Sequence, residues 1–184
     1  MSLVNIAELK TYLSYHGINT GIDDNQLEIL TQIELKKLAS LIDVDIIPVE
    51  RTETMIINDN KLLLSHYPIK SVESIKIDNH TLDISDYTFD NNGIIYFTNN
   101  YNLIGKVTIN YTTGLPDSVI ESKIIPILFD SFVYEFDSNP NKNATSISEG
   151  KSSISYDANH SLKNSINSRI AQLKNSYSAR IRLF

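Results

Sequence analysis

Four histidines, His16, His66, His80 and His160, are the side chains best suited to move protons or bind a metal near neutral pH, and they lie far apart in the chain. No His-x-x-x-His or comparable ligand spacing joins them. Cysteine is absent altogether, which excludes disulfides and thiolate-bound metal, so neither a metal nor a cofactor is expected. Asp23, Asp24, Asp43 and Asp45 are close in sequence, but acid/base catalysis needs two carboxyls in different environments facing a cleft. These four read instead as a helix cap and a solvated helix exit. There is no Gly-x-Gly-x-x-Gly, phosphate loop or Gly-x-Ser-x-Gly elbow, and six glycines leave little material for a phosphate cradle. Tyr87, Tyr96, Tyr101 and Tyr111 have faces on which sugars or bases stack, yet aromatic residues on strands more often pack across the sheet. No catalytic residues are assigned, and an enzyme is not expected.

One charge feature survives this survey. After Asp157 no acidic residue occurs, while Lys163, Arg169, Lys174, Arg180 and Arg182 accumulate ahead of the apolar pair Leu183-Phe184. Cations near a helix C-terminus are favoured by about 0.3 to 1 kcal/mol, which accounts for Lys174 but not for residues past Tyr177. A basic and apolar tail without a core of its own suits docking on an acidic, grooved partner or on phosphates. The apolar pair favours a protein, because a DNA-facing surface calls for Lys and Arg alone. The candidate docking residues are therefore Tyr177, Arg180, Ile181, Arg182, Leu183 and Phe184. A second candidate is the segment around Ser152, Ile154 and Tyr156, which alternates like a strand, has little apolar surface, and must dock on something.

The elements that would position these groups follow from periodicity. Asn5 with Glu8 forms a capping-box pattern, and Ile6, Leu9 and Leu13 then mark a helix from about Ile6 to Tyr15 that His16-Gly17 ends. Asp23 and Asp24 cap a second helix from about Asn25 to Ile42. In it Leu27, Leu30, Leu38 and Leu41 are expected on one face, with Ile29, Ile33 and Ile42 widening the apolar surface until it is buried on more than one side. Pro48 forces an extended exit. From Thr54 to Pro116 the pattern switches to period two, which predicts one compact antiparallel sheet whose core face includes Ile75, Ile77, Ile95, Phe97, Val107 and Ile109. Within it Asp90-Asn91-Asn92-Gly93 turns a hairpin between Tyr87-Thr88-Phe89 and Ile94-Ile95-Tyr96-Phe97.

Asp117 starts a helix that is apolar nearly all round, including Ile124, Leu128 and Phe132, and needs cover on all sides, with a kink or break expected at Pro126. Residues 138–145 form a polar loop. Leu162, Ile166, Ile170, Leu173 and Tyr177 make the stripe of a closing helix.

With 184 residues the chain is long enough for a real core, and its net charge of −6 argues against coating nucleic acid. No apolar run reaches membrane-spanning length and the start has no signal-peptide pattern, so secretion and membrane insertion are not expected. The fold class is α+β: a small bundle of about four helices with an inserted antiparallel β-sheet module and a C-terminal helix plus tail. The expected division is 1–50 for the N-terminal helices, 51–116 for the β insert, and 117–184 for the C-terminal helices, polar loop and docking tail.

The order of elements resembles the tailed-bacteriophage head-tail connector family, the adaptor or head completion proteins that form a ring beneath the portal. The residues that carry the resemblance are Tyr67-Pro68-Ile69-Lys70-Ser71-Val72-Glu73-Ser74-Ile75, Asp86-Tyr87 with Gly93-Ile94-Ile95, the run from Val107 to Thr113 closed by Gly114-Leu115-Pro116, and Ser148-Glu149-Gly150-Lys151-Ser152-Ser153-Ile154-Ser155-Tyr156. The resemblance implies a structural virion protein of the neck, made in the host cytoplasm. It would form a homo-oligomeric ring, commonly twelvefold, between the portal and a stopper or tail-completion protein. DNA would pass through the ring without sequence recognition, and no membrane would be involved. A rival reading from another class is a carbohydrate- or surface-binding β module of a phage baseplate or adhesin, with the tyrosine-rich hairpins as its binding face.

Overall fold

The computed structural model describes residues 3–78, 80–98, 104–137, 146–149, 152–155 and 162–178. It is an α+β protein, and it divides into a helical unit, built from residues up to Ile42 and from Ile120 to Ser178, and a β unit over Asp43–Val119.

In the helical unit, α1 (Ile6–Tyr15) starts where the sequence places it. The Asn5 side-chain oxygen accepts from the amides of Ala7 (3.0 Å) and Glu8 (3.4 Å), and its amide nitrogen donates to Glu8 (3.1 Å), so the two side chains bond each other in place of a full capping box. At the other end Gly17 takes φ +73°, and the amides of Gly17 and Ile18 reach back to the carbonyls of Ser14 and Leu13, both at 2.9 Å. Only glycine takes that left-handed position without steric cost, and the pair of bonds closes the helix. Leu9 and Leu13 are buried.

Helix α2 (Asp24–Ile42) is capped by Asp23, whose side chain accepts from the Gln26 amide at 2.8 Å. Its buried stripe is Leu27, Thr31, Leu35, Leu38 and Ile42. This corrects the sequence expectation: Leu30 and Leu41 are exposed, as are Ile29 and Ile33, and the helix is covered on one side. The apolar residues of α2 fall on two faces, and the one turned inward steps by four, four, three and four residues from Leu27 to Ile42, with Thr31 meeting its need for a partner by donating to the Leu27 carbonyl at 2.8 Å.

The third helical run opens with α3 (Asp117–Val119) and passes through a π-helical turn over Ile120–Ile124 into α4 (Ile125–Phe136). Pro126 thus falls in the first turn of a helix, where its missing donor costs nothing, and the wider turn before it accommodates the ring. Ile124, Ile127, Leu128, Phe129, Phe132 and Val133 are all buried. The cover this helix needs is found inside the unit, since α1, α2 and α5 (Leu162–Ser178) all pack on α4. On α5, Ile166 and Leu173 are buried and Leu162, Ile170 and Tyr177 half-buried. Between α4 and α5, β8 (Ser146–Glu149) and β9 (Ser152–Ser155) pair as an antiparallel hairpin; the polar loop 138–145 lies outside the described residues.

The β unit is two antiparallel sheets, not the single sheet expected. One has the order β1-β7-β3-β4, with β1 (Val49–Asn58), β3 (Ile69–Ile77), β4 (His80–Thr81) and β7 (Ile104–Thr113). The other has the order β2-β6-β5, with β2 (Lys61–Leu63), β5 (Tyr87–Phe89) and β6 (Ile94–Phe97). Alternation identifies an inward face on each strand without stating which strands share hydrogen bonds, so one sheet and two facing sheets look alike in sequence. Ile75, Ile95, Phe97, Val107, Ile109 and Tyr111 from both sheets meet in one core, with Ile77 packed at its edge. Val72 and Ile75, three residues apart, both face that core because the register with β7 shifts between Val72 and Ser74. The β5–β6 turn forms as expected: the Asp90 side chain accepts from the amides of Asn92 (2.9 Å) and Ile94 (3.0 Å), and Gly93 takes φ +83°.

Leu128 is fully buried and Leu41 is 53% exposed, so the two make a matched test of this packing. Leu128→Ala is expected to cost about 2 to 5 kcal/mol through lost transfer energy and the cavity left behind. Leu41→Ala is expected to change stability by less than about 0.5 kcal/mol. Denaturant midpoints of the two variants check the pair, and equal shifts would contradict the orientation of α2.

Candidate docking surfaces

The polar groups that the fold gathers indoors hold its parts together. In the helical unit Asp130 of α4 accepts from the Tyr12 hydroxyl at 2.5 Å and from the Arg169 guanidinium, tying α1, α4 and α5 at one point. Burial, then the bond and charge of Asp130, push Tyr12 up to about 12. In the β unit Glu53 is the hub. It accepts from the Tyr111 hydroxyl, from the amide and hydroxyl of Ser65, each at 3.0 Å, and faces His66 Nδ1 at 3.1 Å. Burial pushes the Glu53 carboxyl up, and the bonds from Tyr111, Ser65 and His66 together outweigh it, leaving the group below its ordinary value. Burial and the neighbouring Glu53 raise Tyr111. Asp45, expected as a solvated exit residue, instead holds Arg51 at 2.7 Å and the Thr113 hydroxyl at 2.5 Å. Neither Glu53 nor Asp45 stands in a motif: Arg51 is six residues from Asp45, but the other partners lie 12 to 68 residues away in the chain.

A recess of about 630 Å³ runs along Lys10, Leu13, Ser14 and the 17–22 connection, and a smaller one of about 190 Å³ lies between the π-helical turn and α5, beside Lys123 and Arg169. Neither holds a carboxylate or histidine, so no acid/base pair faces them. Among the described residues no group of histidines and carboxylates is placed to hold a metal, and no helix is long and apolar enough to cross a membrane.

The surfaces are more informative. Ile29, Leu30, Ile33 and Leu41 are exposed on the outside of α2, with Lys37, paired to Glu34 at 2.8 Å, between Ile33 and Leu41. The outer face of the larger sheet is instead a polar ladder, with Thr52 bonded to Asn110 (2.7 Å), Asn110 to Ser74 (2.9 Å), and Thr54 to Thr108 (3.2 Å). The tyrosines do not assemble one sugar-binding face: Tyr87 and Tyr111 are buried in the β core, Tyr96 is exposed, and Tyr101 lies outside the described residues. Of the docking candidates, Tyr177 is half-buried on the inward stripe of α5. Arg180, Ile181, Arg182, Leu183 and Phe184 lie outside the described residues, as does Tyr156; Ser152 and Ile154 belong to β9. The outer face of α2 was missed in the sequence because its leucines were assigned to the core side; plotting the helix at 3.6 residues per turn separates the two faces.

The head completion protein family matches residues 5–128, which span α1, α2, the whole β unit and the start of α4. This chain belongs to that family. As a head completion protein it is a structural protein of the phage virion. Among solved structures its fold is similar to that of a chain in the neck of an empty gene transfer agent (GTA) particle computed with C6 symmetry. The two share 11% sequence identity at a TM-score of 0.56, over 91% of this chain and 88% of that one. No curated protein matches it.

The Glu53 hub makes this head completion protein sensitive to acid in a defined direction. Its folded-state pKa lies below the ordinary 4.5, so the stabilisation is present above that value and is lost as pH falls from about 4.5 through the folded pKa. Glu53→Gln is expected to cost about 1 to 3 kcal/mol at pH 7, because it weakens several bonds to one half-buried acceptor. Denaturant midpoints measured from pH 7 down to pH 3 should show the gap between variant and wild type closing at the acid end. A gap independent of pH would rule Glu53 out as the titrating group.

Proposed function

We propose that this protein is a ring-shaped adaptor that joins the portal to the tail or to a stopper protein, completes the head after DNA packaging, and does so without catalysis. The observation that carries the reading is the family match across residues 5–128, which covers the helical unit's first half and the β unit together. Support comes from the fold similarity to a chain in a sixfold-computed neck, since the twelve subunits proposed here are a multiple of six. In this reading residues 51–116 are an antiparallel β insert between the helical segments 1–50 and 117–184. DNA passes through the ring without sequence recognition. Tyr177 and the tail from Arg180 to Phe184 dock on the portal or on a neighbouring subunit, and the hairpin that carries Ser152 and Ile154, with Tyr156 beyond it, reaches a neighbouring subunit.

Mass measurement of the purified protein, alone and with portal, tests the reading; a closed oligomer of about twelve copies on the portal is expected. A protein that stays monomeric on saturating portal would overturn it. Removing residues 179–184 is expected to leave circular dichroism and the thermal midpoint unchanged while abolishing the joining of tails to filled heads. Joining at wild-type efficiency would remove the tail from the mechanism, and loss of folding would place it in the core.

A further inference from the structure

The open edge of the larger sheet is the feature that neither the fold nor the family match explains. In the order β1-β7-β3-β4 the strand β1 lies outermost, and it pairs with β7 from Val49 to Asn58 in unbroken register. Hydrogen bonds elsewhere in the sheet fix which of its backbone groups face outward. The Leu82 amide donates to the Ile75 carbonyl at 2.9 Å, so Ile75 points its backbone away from β7, and its partner Ile109 points toward β1, opposite Glu53. By alternation Arg51, Glu53, Met55 and Ile57 bond β7, while Glu50, Thr52, Thr54 and Ile56 turn their N–H and C=O groups outward. Among the described residues the backbone groups of these four have no partner.

Proteins blunt such edges with lysine, proline, bulges or very short strands. The other edges of the two sheets are treated in that way. The far side of the larger sheet has two register shifts in β3, with Lys70 and Lys76, and ends in the two-residue β4; the smaller sheet ends in β2 and β5, of three residues each. On β1 there is no bulge, lysine or proline. Its charged residues all precede Thr54, and Ile56 beyond them is 84% exposed. A long edge left open where the others are closed suits the addition of a strand from another chain.

The chain also contains a strand that lacks a neighbour. β8 and β9 pair with each other alone, and no further described element packs closely against them. A two-stranded hairpin is marginally stable in water, and a third strand supplies what it lacks. Ser152 to Ser155 of β9 bears no charge to oppose the uncharged stretch from Thr54 to Asn58. At about 3.3 Å per residue, its four residues span about 13 Å of an edge about 33 Å long. We propose that β9 of one copy adds to the outer edge of β1 in the next, bonding the backbone of Thr54 and Ile56. The inference rests on the ring reading, in which the hairpin reaches a neighbouring subunit, and names what it meets there. Edge and hairpin are different patches, so the contact is the heterologous kind that repeats around a ring.

Amide hydrogen exchange tests the pairing, in the free chain and in the oligomer that mass measurement detects, alone or on the portal. Thr54 and Ile56 are expected to exchange at least about tenfold more slowly in the oligomer, with Met55 and Ile57, bonded to β7, slow in both. Ile56→Pro removes an outward donor and no ladder bond, so it is expected to keep the wild-type circular dichroism and lose the oligomer. A chain whose residues 146–155 are replaced by a Gly/Ser linker leaves β1 untouched and is expected to lose it too. An oligomer in which Thr54 and Ile56 exchange as fast as in the free chain, or one that forms without the hairpin, overturns the inference and leaves the ring reading standing. Because the chain has no cysteine, Ile56→Cys in one copy and Ile154→Cys in another can be joined by a short bismaleimide without background, and a covalent dimer is expected from the mixture. A link that forms only when both cysteines share one chain assigns the edge to the chain's own hairpin and overturns the inference. If the wild-type protein forms no oligomer, alone or on the portal, the ring reading fails and this inference with it.

Discussion

The helical unit depends on burying one helix that has almost no polar face. Ile124, Ile127, Leu128, Phe129, Phe132 and Val133 of the third helical run are all withdrawn from water, and each fully buried side chain of this kind contributes about 1.5 to 3 kcal/mol. A helix with that composition is stable only if others surround it, so α1, α2 and α5 each need present one stripe and no more. The remaining sides of those helices are released from packing. That freedom is why α2 can carry a second apolar face and why α5 can be polar and basic on its outside.

A polar anchor accompanies each core. Asp130 joins three helices through Tyr12 and Arg169, and Glu53 joins β1, β7 and the segment at Ser65 and His66. Both are well-satisfied groups, and such groups fix one arrangement where apolar packing alone tolerates several. The lowered Glu53 carboxyl and the raised Tyr12 hydroxyl therefore report on architecture. Perturbed titration often marks a catalytic cleft, but Glu53 and Tyr12 are each bonded to neighbouring side chains and line neither recess of the helical unit.

Function in a structural virion protein lies on surfaces that other chains cover, and this separates the informative residues from those a search for catalysis would select. Exposed leucine and isoleucine on α2 are unremarkable one by one, whereas together on one arc they form a surface with a shape and a chemistry. The polar ladder on the larger sheet is the contrasting case. Its Thr, Asn and Ser side chains bond one another across the strands and so need no partner to remain hydrated.

What the sequence by itself determined were the features governed by chain neighbours. The start and stop of α1, the cap of α2, the Asp90–Gly93 turn and the inward stripe of α5 each depend on groups within a few residues of one another, so their types and spacing suffice. The family was legible for a related reason, because the order of such local features is itself a pattern. Tertiary structure alone decided three other things. It chose which of two apolar faces of α2 turns inward, since both have helical spacing and only the surface presented by α4 and α5 discriminates between them. It divided the β residues into two sheets, because strand partners are set by hydrogen bonds across the fold and alternation records only facing. It made Glu53 a hub, since Tyr111 lies 58 residues away in the chain and no local signal links a carboxylate to a hydroxyl at that separation.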